Sequence, residues 1–317
     1  MRCLCCGNEL PEKFHALGWH KACIKQFFGT NELPEIFLDD DVIAQLAQQY
    51  IAEGYTVTGV QKKLSLHLDK TEAPRLTLVG YPAGYILKPQ VSDYPHMPES
   101  EQLTMSMADV CGIKTVPHAL ICCGKDTAYI TKRIDRSNQK KHPSGKLAME
   151  DFCQLDLKPT DEKYLGSYER CAKIIKRYSS QAGFDLTELF MRLIFCFLTG
   201  NSDMHLKNFS LIETEHEQSS YRLSPAYDLL PVQLFLPNDP EDTALTLNGK
   251  KQHLRRKDFI IFASAIGISK KAAETMLERI MSFIPKWKKM CSDSLMPQIL
   301  KEKLLFLIDE RAKRLAI

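Results

Sequence analysis

A dense polar segment follows a strongly apolar one in the second half of the chain. Residues 200–208 read G-N-S-D-M-H-L-K-N. Asp203 and Asn208 lie five positions apart, which is the spacing of the base and the metal-binding asparagine in a protein-kinase catalytic loop. His205 and Lys207 lie between them and are candidates to face a transferred phosphoryl group. The pattern therefore predicts phosphoryl transfer, in which a carboxylate accepts the proton of an attacking hydroxyl.

A second aspartate follows twenty residues after Asn208, within the segment S-P-A-Y-D-L-L. An aspartate among apolar neighbours needs a partner, because an unpaired charge is costly to bury. A magnesium ion bound to ATP would supply that partner. We therefore expect Asn208 and Asp228 to bind magnesium.

A lysine ends a strand-like segment in the first half, G-Y-I-L-K-P. Kinases use such a lysine, here Lys88, to hold the α- and β-phosphates, and they pair it with an acidic residue on a neighbouring helix. Glu101, near the start of a helix expected after Pro98, is the candidate partner. An upstream loop with one glycine is neither a Walker A nor a G-x-G-x-x-G sequence, but its backbone amides can still cover phosphates. The candidate residues in that loop are Thr58, Gly59, Val60, Gln61 and Lys62.

Hydrophobic periodicity indicates which elements hold these residues. Residues 55–135 alternate strand-like segments with one helix, the pattern of a small, mostly antiparallel α+β lobe. The remainder is helical, and the clearest helix covers residues 185–199, with Asp185 as N-cap and Glu188 closing a capping box. Another helix is expected over residues 41–52. We predict a two-lobed α+β fold divided into an N-terminal segment (1–30), a β-rich ATP-binding lobe (31–135) and a helical catalytic lobe (136–317).

The first thirty residues contain four of the 11 cysteines. Two residues separate Cys3 from Cys6, two separate His20 from Cys23, and thirteen residues lie between the two pairs. This spacing is typical of zinc ligands. Cys5 and His15 are alternative ligands, and the competing interpretation is that Trp19 and the cysteines pack as ordinary core. Because four protein ligands leave no open position, a bound zinc ion would be structural. Such a zinc knuckle could also bind nucleic acid or a partner.

Composition excludes several classes of protein. The 317 residues carry a formal net charge of +3, which is too small to indicate a nucleic-acid-binding surface. No run of about 18 apolar residues occurs, and the N-terminus has no apolar core of signal-peptide length, so neither a membrane span nor a signal peptide is expected. Export by a route that reads no N-terminal signal stays open. The most basic run, residues 249–257, lacks interleaved aromatic residues and is typical of a solvated loop. We expect a cytoplasmic protein with reduced cysteines.

The ordered motifs resemble those of the HipA-type toxin kinases. The resemblance spans residues 55 to about 230 and rests on T-V-T-G-V-Q-K-K, G-Y-I-L-K-P, P-E-S-E-Q-L-T-M, T-K-R-I-D-R, M-E-D-F-C-Q, G-N-S-D-M-H-L-K-N-F and S-P-A-Y-D-L-L. It implies a kinase with ATP and magnesium as cofactors and with serine or threonine targets on aminoacyl-tRNA synthetases. By position, Asp203 is the base, Lys88 binds ATP phosphates, and Asn208 and Asp228 bind magnesium. The residues expected at or near adenine are Lys132, Arg133, Ile134, Asp151 and Gln154.

The segment before the glycine-containing loop is shorter than in a full-length HipA, which has an extra N-terminal subdomain of about a hundred residues. The chain therefore resembles the short form of split, three-component HipBST systems, in which a separate small protein replaces that subdomain. The implied partners are an antitoxin, a HipS-like protein and a protein substrate, with DNA reached only through a partner. Thr56 and Thr58 stand where the family has a regulatory serine, so we expect autophosphorylation there.

Two other functions stay open. The pattern D-x-H-x-x-N also resembles the loop of phosphoinositide kinases, although the chain has no membrane-binding module or strongly basic face. Alternatively, the chain is a zinc-knuckle regulatory protein whose kinase lobe binds ATP without turnover. A complete set of lysine, base and metal ligands favours an active protein kinase over both.

Overall fold

A computed structural model of the chain describes residues 1–36, 63–70, 73–77, 83–136, 145–214 and 219–316. The predicted helix over residues 41–52 lies outside the described residues, as do Thr56 and the loop residues 58–62. The chain separates into two units, one formed by Met1–Gln102 with Val116–Arg136 and the other by Leu103–Thr115 with Ser137–Ile317. The predicted three-part division stays a prediction.

The first unit is built on a six-stranded sheet of order β1-β3-β2-β4-β6-β5. The strands are β1 (Glu35–Ile36), β2 (Leu64–Asp69), β3 (Arg75–Thr77), β4 (Tyr85–Lys88), β5 (His118–Cys123) and β6 (Asp126–Lys132). All neighbouring strands are antiparallel except β1 and β3. A turn joins β5 and β6, and Gly124 adopts a φ of 62° there. Strand β4 lies between β2 and β6, so Lys88 stands opposite Tyr129.

The N-terminal segment packs on this sheet through aromatic side chains. Helix α1 (Lys21–Phe28) buries Phe27 and Phe28 against Trp19, which is fully buried. Both phenylalanine rings also contact Tyr85 of β4. The backbone N–H of Leu120 in β5 donates to the carbonyl of Leu4 at 2.9 Å. The first thirty residues are thereby fixed to the sheet by packing and by a backbone hydrogen bond.

The second unit is mainly helical. Helix α2 (Met97–Val110) begins in the first unit and ends in the second. The described α-helices that lie wholly in the second unit are α3 (Phe152–Leu155), α4 (Tyr168–Tyr178), α5 (Ala182–Thr199), α6 (Arg256–Ile266), α7 (Lys270–Met281), α8 (Ile284–Asp293) and α9 (Gln298–Ala316). A small antiparallel sheet joins β7 (Met149–Asp151), β8 (Ser210–Glu213) and β9 (Tyr221–Leu223). Every residue of α5 from position 189 to 199 is buried, so this helix is the core of the unit.

The predicted start of α5 is wrong. The helix begins at Ala182 with Gln181 as N-cap, so Asp185 lies inside the first turn. Its carboxylate accepts hydrogen bonds from the Ser179 hydroxyl at 2.6 Å and from the backbone N–H of Leu223 at 2.7 Å. The predicted capping box is wrong as well, because Asp185 is not the N-cap. Glu188 instead pairs with Arg192 one turn later, with 2.9 Å between Oε1 and Nε.

The predicted fold class is confirmed. Strands dominate the first unit and helices the second, with the cysteine- and histidine-containing segment at the N-terminus. Among the described helices, none is both long and apolar enough to cross a membrane.

Candidate active site

The polar loop begins where the buried helix α5 ends. Gly200 follows the helix in the left-handed region, with a φ of 69°, and its N–H donates back to the carbonyls of Cys196 and Phe197. A Cβ atom at this position would clash with the side chain of Leu307. The backbone conformation therefore favours glycine, and a larger residue would also require the Leu307 side chain of α9 to shift. This turn fixes where residues 201–208 start.

Asn201 connects two of the predicted site segments. Its side chain is buried, its Oδ1 atom accepts from the N–H of Asp203 at 3.2 Å, and its Nδ2 atom donates to the carbonyl of Asp228 at 3.4 Å. Its own N–H donates to the carbonyl of Cys196 at 2.9 Å. Sequence reasoning gave Asn201 no role, although its place two residues before Asp203 in the motif was an available signal.

The carboxylate of Asp203 is oriented by a tyrosine from a distant part of the chain. The Tyr164 hydroxyl donates to Oδ1 of Asp203 at 2.7 Å, and Nε2 of His205 lies 4.0 Å from Oδ2. The Asp203 side chain is 17% exposed. From the other side, Nδ2 of Asn208 donates to the Asp203 carbonyl at 2.9 Å. A carboxylate held this way, with part of its surface accessible, is suited to accept a proton from a substrate hydroxyl.

Lys207 forms an ion pair within the site. Its Nζ atom lies 2.8 Å from Oδ2 of Asp151, which is the N-cap of α3. Asp151 accepts from the N–H of Gln154, and its own N–H donates to Oε1 of Gln154, so the two form a capping box. The Tyr227 hydroxyl donates to the Lys207 carbonyl at 3.1 Å. Lys207, from the predicted catalytic loop, and the two predicted adenine-site residues Asp151 and Gln154 therefore form one connected set.

Asp228 has an unusual backbone conformation. Its φ is 55°, a left-handed value that few residues other than glycine adopt, and aspartate tolerates it better than most. The nearby Ala226 donates its N–H to the Lys114 carbonyl at 2.7 Å. Backbone strain of this kind concentrates at functional sites. The oxygen donors that this unit offers, on Asp203, Asn208 and Asp228, have the chemistry that magnesium prefers.

The predicted pairing of Lys88 with Glu101 is present in the first unit. Nζ of Lys88 lies 2.5 Å from Oε1 of Glu101, and the two side chains are 3% and 1% exposed. The Lys88 ammonium also lies 5.2 Å from the centre of the Tyr129 ring. The charge of Lys88, at the end of a central strand, is thus balanced by a carboxylate on α2. Both side chains are buried, which fixes their positions.

Three of the residues expected at or near adenine, Lys132, Arg133 and Ile134, lie at the end of β6 and just beyond it. Burial lowers the pKa of Lys132, and the positive charge of Lys70 lowers it further. Arg133 donates two hydrogen bonds to the Asp135 carboxylate, at 3.1 and 3.0 Å, and its N–H donates to the Gly84 carbonyl. Ile134 is half-buried.

The N-terminal cysteines and His20 converge. One ligand atom from each of four residues lies within 4.8 Å of every other, and the four are Cys3, Cys6, His20 and Cys23. The alternative ligands Cys5 and His15 are not in this group. His15 instead bonds through Nε2 to the carbonyl of Leu10 at 2.8 Å.

Comparison with solved structures identifies the fold. The chain resembles the HipA protein of Shewanella oneidensis MR-1, solved with HipB and its operator DNA, with a TM-score of 0.69 and 21% identity over 86% of this chain and 71% of that one. It also resembles the Helicobacter pylori proinflammatory kinase CtkA, with a TM-score of 0.54 and 15% identity over 79% of this chain and 93% of that one. At these identities the likeness concerns the fold, which is that of HipA and CtkA.

The family follows from the sequence. The model of the HipA-like C-terminal domain matches residues 55–287, so the chain belongs to this family. A Haemophilus influenzae protein named "Putative kinase" is 28% identical over 92% of this chain and 89% of its own length. The Sinorhizobium fredii protein named "Putative kinase Y4dM" is 29% identical over 78% of this chain, which spans 63% of that protein.

Proposed function

We propose that this protein is an ATP-dependent kinase that phosphorylates serine or threonine residues of a protein substrate. The observation that carries the proposal is that three side chains hold Asp203 in place. Its carboxylate accepts from Tyr164, its N–H is held by Asn201, and its carbonyl is held by Asn208. Membership of the HipA-like family supports the same activity.

We assign a distinct role to each candidate residue. Asp203 accepts the hydroxyl proton, while His205 and Lys207 face the phosphoryl group. Magnesium, held by Asn208 and Asp228, would neutralise phosphate charge when bound. Lys88 binds the α- and β-phosphates, and Glu101 fixes its position. The remaining nucleotide contacts are assigned to Thr58, Gly59, Val60, Gln61 and Lys62 at the phosphates and to Lys132, Arg133, Ile134, Asp151 and Gln154 at or near adenine.

The biological role we propose is that of a toxin in a HipA- or HipBST-type system. The Shewanella HipA structure contains HipB and operator DNA, which supports an antitoxin partner and indirect contact with DNA for this chain as well. The proposed substrate is an aminoacyl-tRNA synthetase in the cytoplasm. Phosphorylating such an enzyme would halt translation, so toxicity to a host cell would depend on phosphotransfer.

Self-control by autophosphorylation at Thr56 or Thr58 is part of the proposal. A phosphate there adds nearly two negative charges, which would repel the phosphates of ATP. We predict that Thr56→Ala combined with Thr58→Ala prolongs activity, and that mass spectrometry of protein incubated with ATP finds phosphate on one of the two. Absence of phosphate from both, together with a double variant that behaves like the parent, would contradict autoregulation.

One experiment tests the activity itself. The full chain is incubated with γ-labelled ATP, magnesium and a whole-cell lysate, and the labelled protein and residue are identified. The parent chain should label a serine or threonine residue of one discrete protein. The control variant Asp161→Asn, which changes an exposed aspartate, should label the same residue to the same extent. Label that appears only in added phosphoinositide vesicles would favour a lipid kinase. Bound ATP without any transfer would favour the catalytically silent alternative.

A further inference from the structure

The proposed kinase mechanism assigns no role to the N-terminal cluster, yet the geometry of this cluster is that of a metal site. We propose that Cys3, Cys6, His20 and Cys23 bind one structural zinc ion, and that this ion clamps the N-terminal segment to the helix that carries Glu101. The proposal goes beyond the kinase activity and is tested without it. We call these four residues the knuckle cluster.

Distances within the knuckle cluster match a tetrahedral zinc site. Zinc–sulfur and zinc–nitrogen bonds of about 2.3 and 2.0 Å place neighbouring ligand atoms of a tetrahedron about 3.5–3.8 Å apart. Nδ1 of His20 lies 3.5 Å from Sγ of Cys6 and 3.9 Å from Sγ of Cys23. All pairs of ligand atoms lie within 4.8 Å. The ligands therefore need to move little to bind the ion.

A second set of contacts orients the histidine. Nε2 of His20 lies 3.0 Å from the carbonyl of Glu9, which can only accept a hydrogen bond. The ring proton therefore sits on Nε2, and the lone pair of Nδ1 faces the cysteines. The N–H of His20 lies 3.5 Å from Sγ of Cys3 and donates to it, a contact that suits a metal-bound thiolate.

Local structure brings the two halves of the knuckle cluster together. Cys3 and Cys6 flank a tight turn that Gly7 closes, with a φ of 71° and an N–H that donates to the Cys3 carbonyl. His20 and Cys23 lie at the start of α1, one turn apart on the helix. Three thiolates and one imidazole are a donor set that selects zinc, and four protein ligands leave no position for a substrate.

The clamp is built from the residues beside the ligands. The carbonyl of Cys5, between two ligands, accepts from Nε2 of Gln102 at 3.2 Å, and Oε1 of Gln102 lies 2.8 Å from Nδ1 of His118. Gln102 follows Glu101, the partner of Lys88. Zinc would fix the turn between Cys3 and Cys6, and the Cys5 carbonyl in this turn accepts the hydrogen bond from Gln102. Loss of the metal should therefore loosen the segment next to the buried ion pair of Lys88 and Glu101.

Metal analysis of the purified full chain tests the site. We expect about one zinc per chain by elemental analysis. The Cys6→Ser variant should lose its zinc at a chelator concentration at which the parent chain keeps it. Cys6 is exposed, so this change disturbs little packing. Cys5→Ser and His15→Gln change the same residue types outside the knuckle cluster and should keep the ion. A Cys6→Ser variant that holds zinc as tightly as the parent overturns the ligand set.

A second measurement avoids variants altogether. Replacing zinc with cobalt(II) in the parent chain should give the visible absorption of a tetrahedral thiolate complex, and chelation should lower the thermal unfolding temperature. A chain that contains no zinc after expression with added zinc, and that binds no cobalt, overturns the site. A chain that binds zinc but has the same unfolding temperature after chelation overturns the clamp.

Discussion

The loop over residues 200–208 and the knuckle cluster are both dense in polar side chains, but they are held together differently. In the loop, the protein itself supplies the partners: Asn201, Asn208 and Tyr164 all hold Asp203. In the knuckle cluster, the side chains face one another and, in our proposal, share an ion. We infer that loss of the Asp203 carboxylate should damage chemistry and spare the fold, whereas loss of a knuckle ligand should lower stability.

The largest effect is expected from Asp228→Asn. Removing one negative charge from the proposed magnesium ligands should lower phosphotransfer by about a hundredfold or more, because the phosphate charge is then poorly neutralised. The unfolding temperature should stay close to that of the parent. Steady-state kinetics and thermal unfolding of the same preparation check both parts. A large fall in the unfolding temperature would show that Asp228 supports the fold and would contradict its assignment to magnesium binding.

A smaller effect, on stability, is expected from Gly200→Ala. The left-handed backbone and the contact with Leu307 should cost about 2 kcal/mol of unfolding free energy. Denaturant unfolding measures this cost. Gly183→Ala is the matched control, since nothing lies near the position where its Cβ would be added. Similar stabilities for the two variants would show that the end of α5 does not constrain the loop.

The smallest effect is expected from Tyr164→Phe. The change removes the hydrogen bond to Asp203 and should lower kcat about tenfold, because a bond to a charged group contributes about 1.5–3 kcal/mol. The acid limb of the pH–rate profile should also move to higher pH, since the variant stabilises the ionised carboxylate less. A fall in kcat with an unmoved profile would mean that Tyr164 acts only on packing.

Much of this arrangement could be predicted from local sequence. The knuckle ligands lie within about twenty positions of one another, so their spacing alone indicated a cluster. The pairing of Lys88 with Glu101 followed from a strand end and the next helix start, which are 13 positions apart. Both predictions depended on neighbouring elements, and the structure places both groups of side chains together.

Long-range contacts explain what could not be predicted. Tyr164 lies 39 positions before Asp203, in a segment without periodicity, and nothing in its surroundings signals a role. Asp185 has the residue type of an N-cap, but its carboxylate accepts from Leu223, 38 positions away. Tertiary hydrogen bonds therefore determine the role of the Asp185 side chain, and they override the local preference of aspartate for the N-cap.

Asp203→Asn offers the most direct test of the central claim. The replacement keeps an oxygen that can accept from the Tyr164 hydroxyl, so the loop should stay folded, but an amide cannot act as the base. In a single-turnover assay with labelled ATP, magnesium and the identified protein substrate, we predict ATP binding close to that of the parent and phosphotransfer reduced by about a hundredfold or more. Phosphotransfer at the rate of the parent would contradict the assignment of Asp203 as the base.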